Sequence, residues 1–331
     1  MGSLFVFAAG AALLIYSAEK LIGYLVGAAS GLKISVFLLA IVFTGIEFDD
    51  VVLGVALNLE DLDDVALGLV MGTAISYTGV VLALAAIIAP TTVRIPRDYL
   101  AIFAVAPLLM GAFLLTASSL TVLDGLLLLG LFALFTAYVA VRELRREEPT
   151  FRNAEVCEEA EKSDDRLPFT ASRKLPGWAD LGLAVVALAG LVIGAAATSI
   201  GTQGILLTYG IGGTAFGATI ITVALTLEDI FLTVEPFRRG VPAIGIGNVI
   251  GSTVFSVTGK LGVVLLSGGA IEVGPDVLRW HLPVLVGMTA LAALFLHRGR
   301  LRRWHGGVLL GLYVAYWIVS FAVFGSAPVE S

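Results

Sequence analysis

The chain has 331 residues, of which 58% are hydrophobic and 14% charged, and its mean hydropathy is +0.98; a water-soluble domain is typically ~45–50% apolar and about 25% charged, so a soluble globule is excluded. A net charge of −6 leaves no basic footprint for nucleic acid. The 38 glycines suit helices packed closely in lipid, and the apolar runs far exceed the roughly 10-residue alternating strands of a membrane barrel.

Apolar runs of about 20 residues, the length that crosses a bilayer, predict roughly ten spans. They fall near residues 3–28, 34–57, 65–89, 98–117, 121–141, 178–203, 213–235, 241–267, 278–297 and 304–324. The first run has neither a basic flank nor a small-residue cleavage pattern, so it reads as a retained helix and not a signal peptide. Between the fifth and sixth runs, Arg142 to Pro176 is polar and of mixed charge, which predicts a solvated or partly helical linker. The expectation is an all-α membrane protein of two five-helix repeats, residues 1–141 and 178–331, joined by a cytoplasmic linker over 142–177.

Basic residues set the expected orientation. With the amino terminus outside, the inner loops gather every Lys and Arg except Lys20, Lys260 and Arg279, as the positive-inside rule requires of a cell-membrane protein. Glu60, Asp61, Asp63 and Asp64 then fall on the outer face, where they read as a solvated turn or as a mouth that gathers cations. The single cysteine, Cys157, sits in the linker, so no intrachain disulfide forms. His281, His297 and His305 lie at or beyond helix ends and read as interfacial, which argues against a buried histidine metal site. With no intramembrane Cys or His to build a nucleophile or metal trio, the sequence does not read as an enzyme.

Two short acidic stretches interrupt the apolar runs: Phe43-Thr44-Gly45-Ile46-Glu47-Phe48-Asp49-Asp50 and Ala224-Leu225-Thr226-Leu227-Glu228-Asp229. An ionised side chain at bilayer depth costs at least ~2.5 kcal/mol, so each needs a compensating partner. Protonation or a hydrogen bond is one compensation. A hard cation is the other, since such ions take oxygen ligands and carboxylates are the strongest of these. The placement of Glu47 and Glu228 at matching repeat positions favours the cation, and two facing carboxylates neutralise one divalent or two monovalent ions. Asp50 shares a helix face with Glu47. Asp49 and Asp229 point roughly 100–200° away from their glutamates on an ideal helix, towards neighbours or a vestibule. Thr44, Thr73, Thr226, Ser252 and Ser256 are candidate hydroxyl ligands, although Ser and Thr also bond within membrane helices. Lys260 either snorkels outward or takes a cation's place beside a carboxylate.

Both halves repeat one order of events: an entry helix, a glycine-rich approach, a helix with a central Glu, a polar turn, and a helix opening with spaced glycines. The last piece is Gly68-Leu69-Val70-Met71-Gly72-Thr73 in the first half and Gly247-Asn248-Val249-Ile250-Gly251-Ser252 in the second. Five spans per half is an odd number, so the second copy enters the membrane inverted, as in secondary transporters whose site lies between the repeats.

On these residues the chain resembles the sodium/calcium exchanger branch of the calcium:cation antiporter superfamily. Ala8 to Asp50 is similar to the first conserved repeat of that family, and Gly182 to Gly269 to the second. The resemblance implies ten helices in inverted repeats and no organic cofactor. It also implies antiport of Ca2+ or a related divalent cation against Na+ or H+, with inorganic cations and the bilayer as partners. The family's Gly-Thr-Ser-Leu-Pro-Glu and Ala-Thr-Ser-Leu-Pro-Glu motifs place an ion ligand at Glu47 and at Glu228. Their proline is Ile46 here and Leu227 in the second copy, and their hydroxyl is kept at Thr44 but becomes Leu225, with Thr226 shifted by one. Gly-Asn-x-x-Gly-Ser matches Gly247 to Ser252, Thr73 replaces its serine in the first copy, and the Asn or Asp that follows becomes Tyr77 and Ser256. A passive cation channel, or an antiporter of other divalent or of monovalent cations, is the alternative reading.

Overall fold

A computed structural model describes residues 2–32, 35–59, 63–116, 119–145, 176–209 and 214–324. Lys33, the acidic turn at Glu60 and Asp61, Cys157 and most of the expected linker lie outside the described residues.

In chain order the first half runs α1 (Gly2–Leu32), α2 (Val36–Phe43), α3 (Phe48–Leu59), α4 (Asp63–Ser76), a π-helical turn (Tyr77–Val81), α5 (Leu82–Ile88), β1 (Thr91–Thr92), α6 (Arg97–Thr116), β2 (Ser119–Leu120) and α7 (Val122–Arg145). The second half runs α8 (Gly177–Tyr209), α9 (Thr214–Arg238), α10 (Pro242–Phe255), a π-helical turn (Ser256–Lys260), α11 (Leu261–Gly268) and β3 (Ile271–Glu272). It ends with a third π turn (Val277–His281), α12 (Leu282–His297), β4 (Arg300–Leu301), α13 (Arg303–Val319) and a last π turn (Ser320–Phe324).

The protein is all-helical and built to sit in a membrane. Among the described residues, seven helices are long and apolar enough to cross a bilayer. The peripheral ones carry large apolar side chains outward, among them Leu123, Leu134, Val186 and Ile193, each at least 60% exposed, a surface that lipid solvates and water does not. Burial separates the layers: 89% of the most apolar window of Pro242–Gly268 is covered by protein, against 22% for Val122–Arg145. The α10–α11 rod is therefore the axis of the bundle, and α7 its wall.

Small residues set the closest helix contact. At 31 residues α1 is longer than the ~20 needed to span, and it packs along α8. A Cβ added to Gly194 of α8 would stand 2.6 Å from the Leu14 backbone nitrogen of α1, so the two backbones meet because no side chain separates them. Beneath the apolar layer of Phe37, Ile41, Val70, Ile250 and Val257, the centre is polar.

Two short antiparallel ladders tie the halves together. Thr91 pairs with Leu301 and Thr92 with Arg300, while Ser119 pairs with Glu272 and Leu120 with Ile271. Since the 20-residue α6 connects β1 to β2, the ladders sit at opposite ends of a rod roughly 30 Å long.

The expectation of interfacial histidines needs correction at two positions. His305 lies in the first turn of α13 and His281 where the third π turn joins α12, yet both are buried. The Nδ1 of His281 lies 2.7 Å from the Tyr316 hydroxyl, and the His305 ring stacks on Phe295 with centroids 4.2 Å apart while its Nδ1 accepts the Arg302 backbone N–H. Aromatic neighbours and capping bonds replace water at these rings.

Candidate cation site

The site begins at a break in the second span. The helix stops at Phe43 and restarts at Phe48. The backbone N–H groups of Thr44 and Gly45 both donate to the Ala40 carbonyl, at 2.8 and 3.2 Å, and the Thr44 hydroxyl donates to the same oxygen at 2.8 Å. Glycine weakens the helix here and side-chain back-bonding competes with its ladder. Packing completes the break: a Cβ on Gly45 would lie 2.6 Å from the Ile41 carbonyl and 2.9 Å from the Cα of Gly251. A proline is therefore not required. Glu47 stands at the start of α3, its carbonyl accepting the Val51 N–H at 3.0 Å, where the positive end of the helix dipole favours a carboxylate.

The second acidic stretch is built differently. Thr226, Glu228 and Asp229 lie within α9, which runs unbroken from Thr214 to Arg238. With no glycine between Ala224 and Asp229, nothing local interrupts its helix.

The two stretches meet at one cavity. Glu47 and Glu228 both line it, with Thr44, Asp50, Thr73, Ser76, Thr226 and Asp229 as further polar lining. Phe43, Ile46, Leu69, Leu188, Val192 and Leu232 supply its apolar wall. Ser256 reaches the site by donating to Glu47 Oε2 at 3.3 Å. Ser252 is fully buried but does not line the cavity, and its hydroxyl has no hydrogen-bond partner among the described residues. Asp229 faces the cavity and accepts the Tyr77 hydroxyl at 2.8 Å; the side chain of Asp49 lies outside the described residues.

Lys260 does not snorkel. It is completely buried, in the π turn of the α10–α11 rod. Its Nζ forms ion pairs with Glu47 Oε2 and with Asp50 Oδ2, the latter at 2.6 Å, and donates to Thr73 Oγ1 at 2.9 Å. Thr73 accepts because its own proton goes to the Leu69 carbonyl at 2.9 Å. The remaining oxygen of Glu47, Oε1, is buried without a hydrogen-bond partner among the described residues. Among those residues no three His, Cys, Asp or Glu groups converge as a ready metal cluster. The arrangement joins acidic and hydroxyl oxygens around a protein-borne ammonium, with acceptor capacity left on Glu47 Oε1.

One participant was hidden in the sequence. Tyr77 stands where a smaller amide or acid would be a ligand and so reads as a loss, yet its hydroxyl bridges to Asp229 across 152 positions of sequence. Lys260 gave a usable signal, a lysine inside an apolar helix four residues beyond Ser256.

The putative antiporter CaxA of Alkalimonas amylolytica is 25% identical over 95% of this chain and 97% of its own length. The sodium/calcium exchanger MaX1 of Methanosarcina acetivorans is 33% identical over 34% of this chain and 33% of its own. In fold, the chain is similar to the sodium-calcium exchanger NCX_Mj soaked with Na+ and Ca2+, with a TM-score of 0.78 at 21% identity over 98% of this chain and 99% of that one. The sequence profile of sodium/calcium exchanger proteins matches residues 2–141 and 180–322, and the chain belongs to that family.

Proposed function

We propose that the protein exchanges Ca2+, or a related divalent cation, for Na+ or H+ by alternating access through the cavity between Glu47 and Glu228. The observation that carries this reading is the convergence of two intramembrane glutamates, one from each half, on a single cavity. An antiporter needs one site that competing ions visit in turn, and carboxylates serve hard divalent and monovalent cations alike. The relatives' names, antiporter and sodium/calcium exchanger, favour the same chemistry. Ion ligands in this reading are Glu47, Glu228, Thr44 and Thr226, with Asp50 and Thr73 holding Lys260 beside them, Ser256 acting beside Glu47 and Ser252 lying behind.

The same reading takes the fold as ten spans in two inverted repeats. The broken pair α2–α3, α9, and α13 with its π turn add three spans to the seven long helices. Reciprocal pairing supports inversion: β1, after the third span of the first half, pairs with β4, before the last span of the second, and β3 pairs with β2 in the mirrored way. The π turns at Tyr77–Val81 and Ser256–Lys260 also occupy matching places, and π turns often mark functional sites. The distribution of basic residues among the loops supports an amino terminus outside and a linker in the cytoplasm.

Uptake of 45Ca2+ into proteoliposomes under an imposed Na+ or H+ gradient tests the proposal. Uptake driven by either gradient is expected. Flux that follows the Ca2+ gradient alone, with no counter-ion movement, would instead indicate a channel. Divalent binding weakens on acidification, because protons and the metal compete for the same carboxylate oxygens.

A further inference from the structure

We propose that the ammonium of Lys260 permanently holds one cation position of the central site, so that the protein exchanges one divalent ion for two monovalent ones, and that removing this ammonium opens a third monovalent position. The proposal rests on the antiporter reading of the cavity and adds its stoichiometry.

The geometry is that of a tethered monovalent cation. Nζ meets two carboxylate oxygens and one hydroxyl oxygen, those of Glu47, Asp50 and Thr73, which is the donor set a dehydrated alkali ion would take. No mobile ion can bond the same three oxygens while Nζ is there. The stem cannot withdraw the charge to water, because Lys260 is 0% exposed and grows from the bundle's most covered rod. Glu47 is divided between two tasks: Oε2 holds Lys260, while Oε1 is buried with no partner among the described residues and remains for the transported ion.

Charge then fixes how much cargo the site holds. Among the described residues, the buried carboxylates lining the cavity are Glu47, Asp50 and Glu228. Asp229 is only half-buried and accepts the Tyr77 hydroxyl, so it stands outside this balance. Three negative charges less the one met by Lys260 leave two. One divalent ion or two monovalent ions neutralise the remainder, and an uncompensated charge at bilayer depth is costly. Without the ammonium, the acceptor oxygens of Asp50 and Thr73 are freed and a third monovalent ion restores neutrality.

The experiment compares the full-length wild type with Lys260→Met in proteoliposomes, reading gradient-driven 45Ca2+ accumulation while K+ and valinomycin clamp the membrane potential. Wild-type steady-state accumulation is expected to be indifferent to potential. In Lys260→Met, an inside-positive potential raises the accumulated Ca2+ ratio by about 50-fold per 100 mV, the effect of one net charge moved outward per cycle. Lys260→Gln, which keeps most of the side-chain length and an N–H donor but not the charge, gives the same readout if the Met variant does not fold. Wild-type accumulation that moves with potential overturns the proposal whatever the variants do. So does a folded Lys260 variant as indifferent as the wild type. Absence of any gradient-driven uptake by the wild type overturns the antiporter reading itself.

Discussion

The two acidic stretches bring their glutamates to one cavity from unlike backbones. Residues 44–47 form a break between α2 and α3, whereas residues 226–229 ride in the unbroken α9. A broken span brings helix ends, with their unpaired backbone groups, to the cavity; an intact helix satisfies its own ladder and offers side chains alone. The first half therefore supplies the more elaborate wall, with Thr44, Glu47, Asp50 and Thr73, and the second half answers it with a fixed cation, Lys260, beside Glu47 and Asp50.

Charge removal is the severest way to break the comparison. Losing one charge of a desolvated pair costs roughly 2–5 kcal/mol, or at least ~30-fold in affinity. Glu47→Gln and Glu228→Gln are each expected to abolish 45Ca2+ exchange while the protein still inserts. They differ in stability: Glu47→Gln also removes an ion-pair partner of Lys260 and lowers the thermal midpoint further than Glu228→Gln. Full gradient-driven flux in either variant would remove that residue from the site, and equal thermal midpoints would mean that Lys260 does not depend on Glu47.

The backbone difference is tested next. Gly45→Ala places a Cβ against two backbone neighbours, the Ile41 carbonyl and Gly251, neither of which can turn aside. Overpacking of this kind costs typically ~1–3 kcal/mol, and reshaping the break displaces Glu47, so exchange should fall by tenfold or more. Thr226→Ala in the intact helix loses a hydroxyl without disturbing the backbone, and its effect should be smaller. Thermal midpoints and Ca2+ affinities of the two variants, measured together, check this. If Gly45→Ala transports like the wild type, the Gly45–Gly251 contact does not shape the site.

What was legible in the sequence divides along the same physical lines. Apolar run length and glycine content disclosed an all-helical membrane protein, because the bilayer imposes a length and demands internal hydrogen bonding. Glu47 and Glu228 stood out because charge is costly in such runs. The break at Thr44–Glu47 was obscured: the proline associated with it is Ile46, and the agent that replaces it, Gly251, lies some two hundred positions away and declares itself only in the packed structure. The partner of Lys260 was undecidable for a similar reason. A lysine at a helix position points in a direction that sequence cannot supply, and three first-half oxygens converge on it only when the halves meet.

The smallest expected effects belong to the hydroxyls, and their ordering locates the cavity more finely than the glutamates can. Thr44 lines the cavity, and its oxygen, having donated to the Ala40 carbonyl, keeps acceptor capacity for a cation. A neutral hydrogen-bonding group is worth about 0.5–1.5 kcal/mol, so Thr44→Val should weaken Ca2+ binding by roughly twofold to tenfold. Ser252 is equally buried but does not line the cavity, so Ser252→Ala should change affinity by less than about twofold. Equilibrium 45Ca2+ binding to the purified variants separates these outcomes. A Ser252→Ala loss as large as that of Thr44→Val would mean that the ion sits deeper, against the α10 axis, and that the unbroken side of the cavity contributes more to its coordination than the broken one.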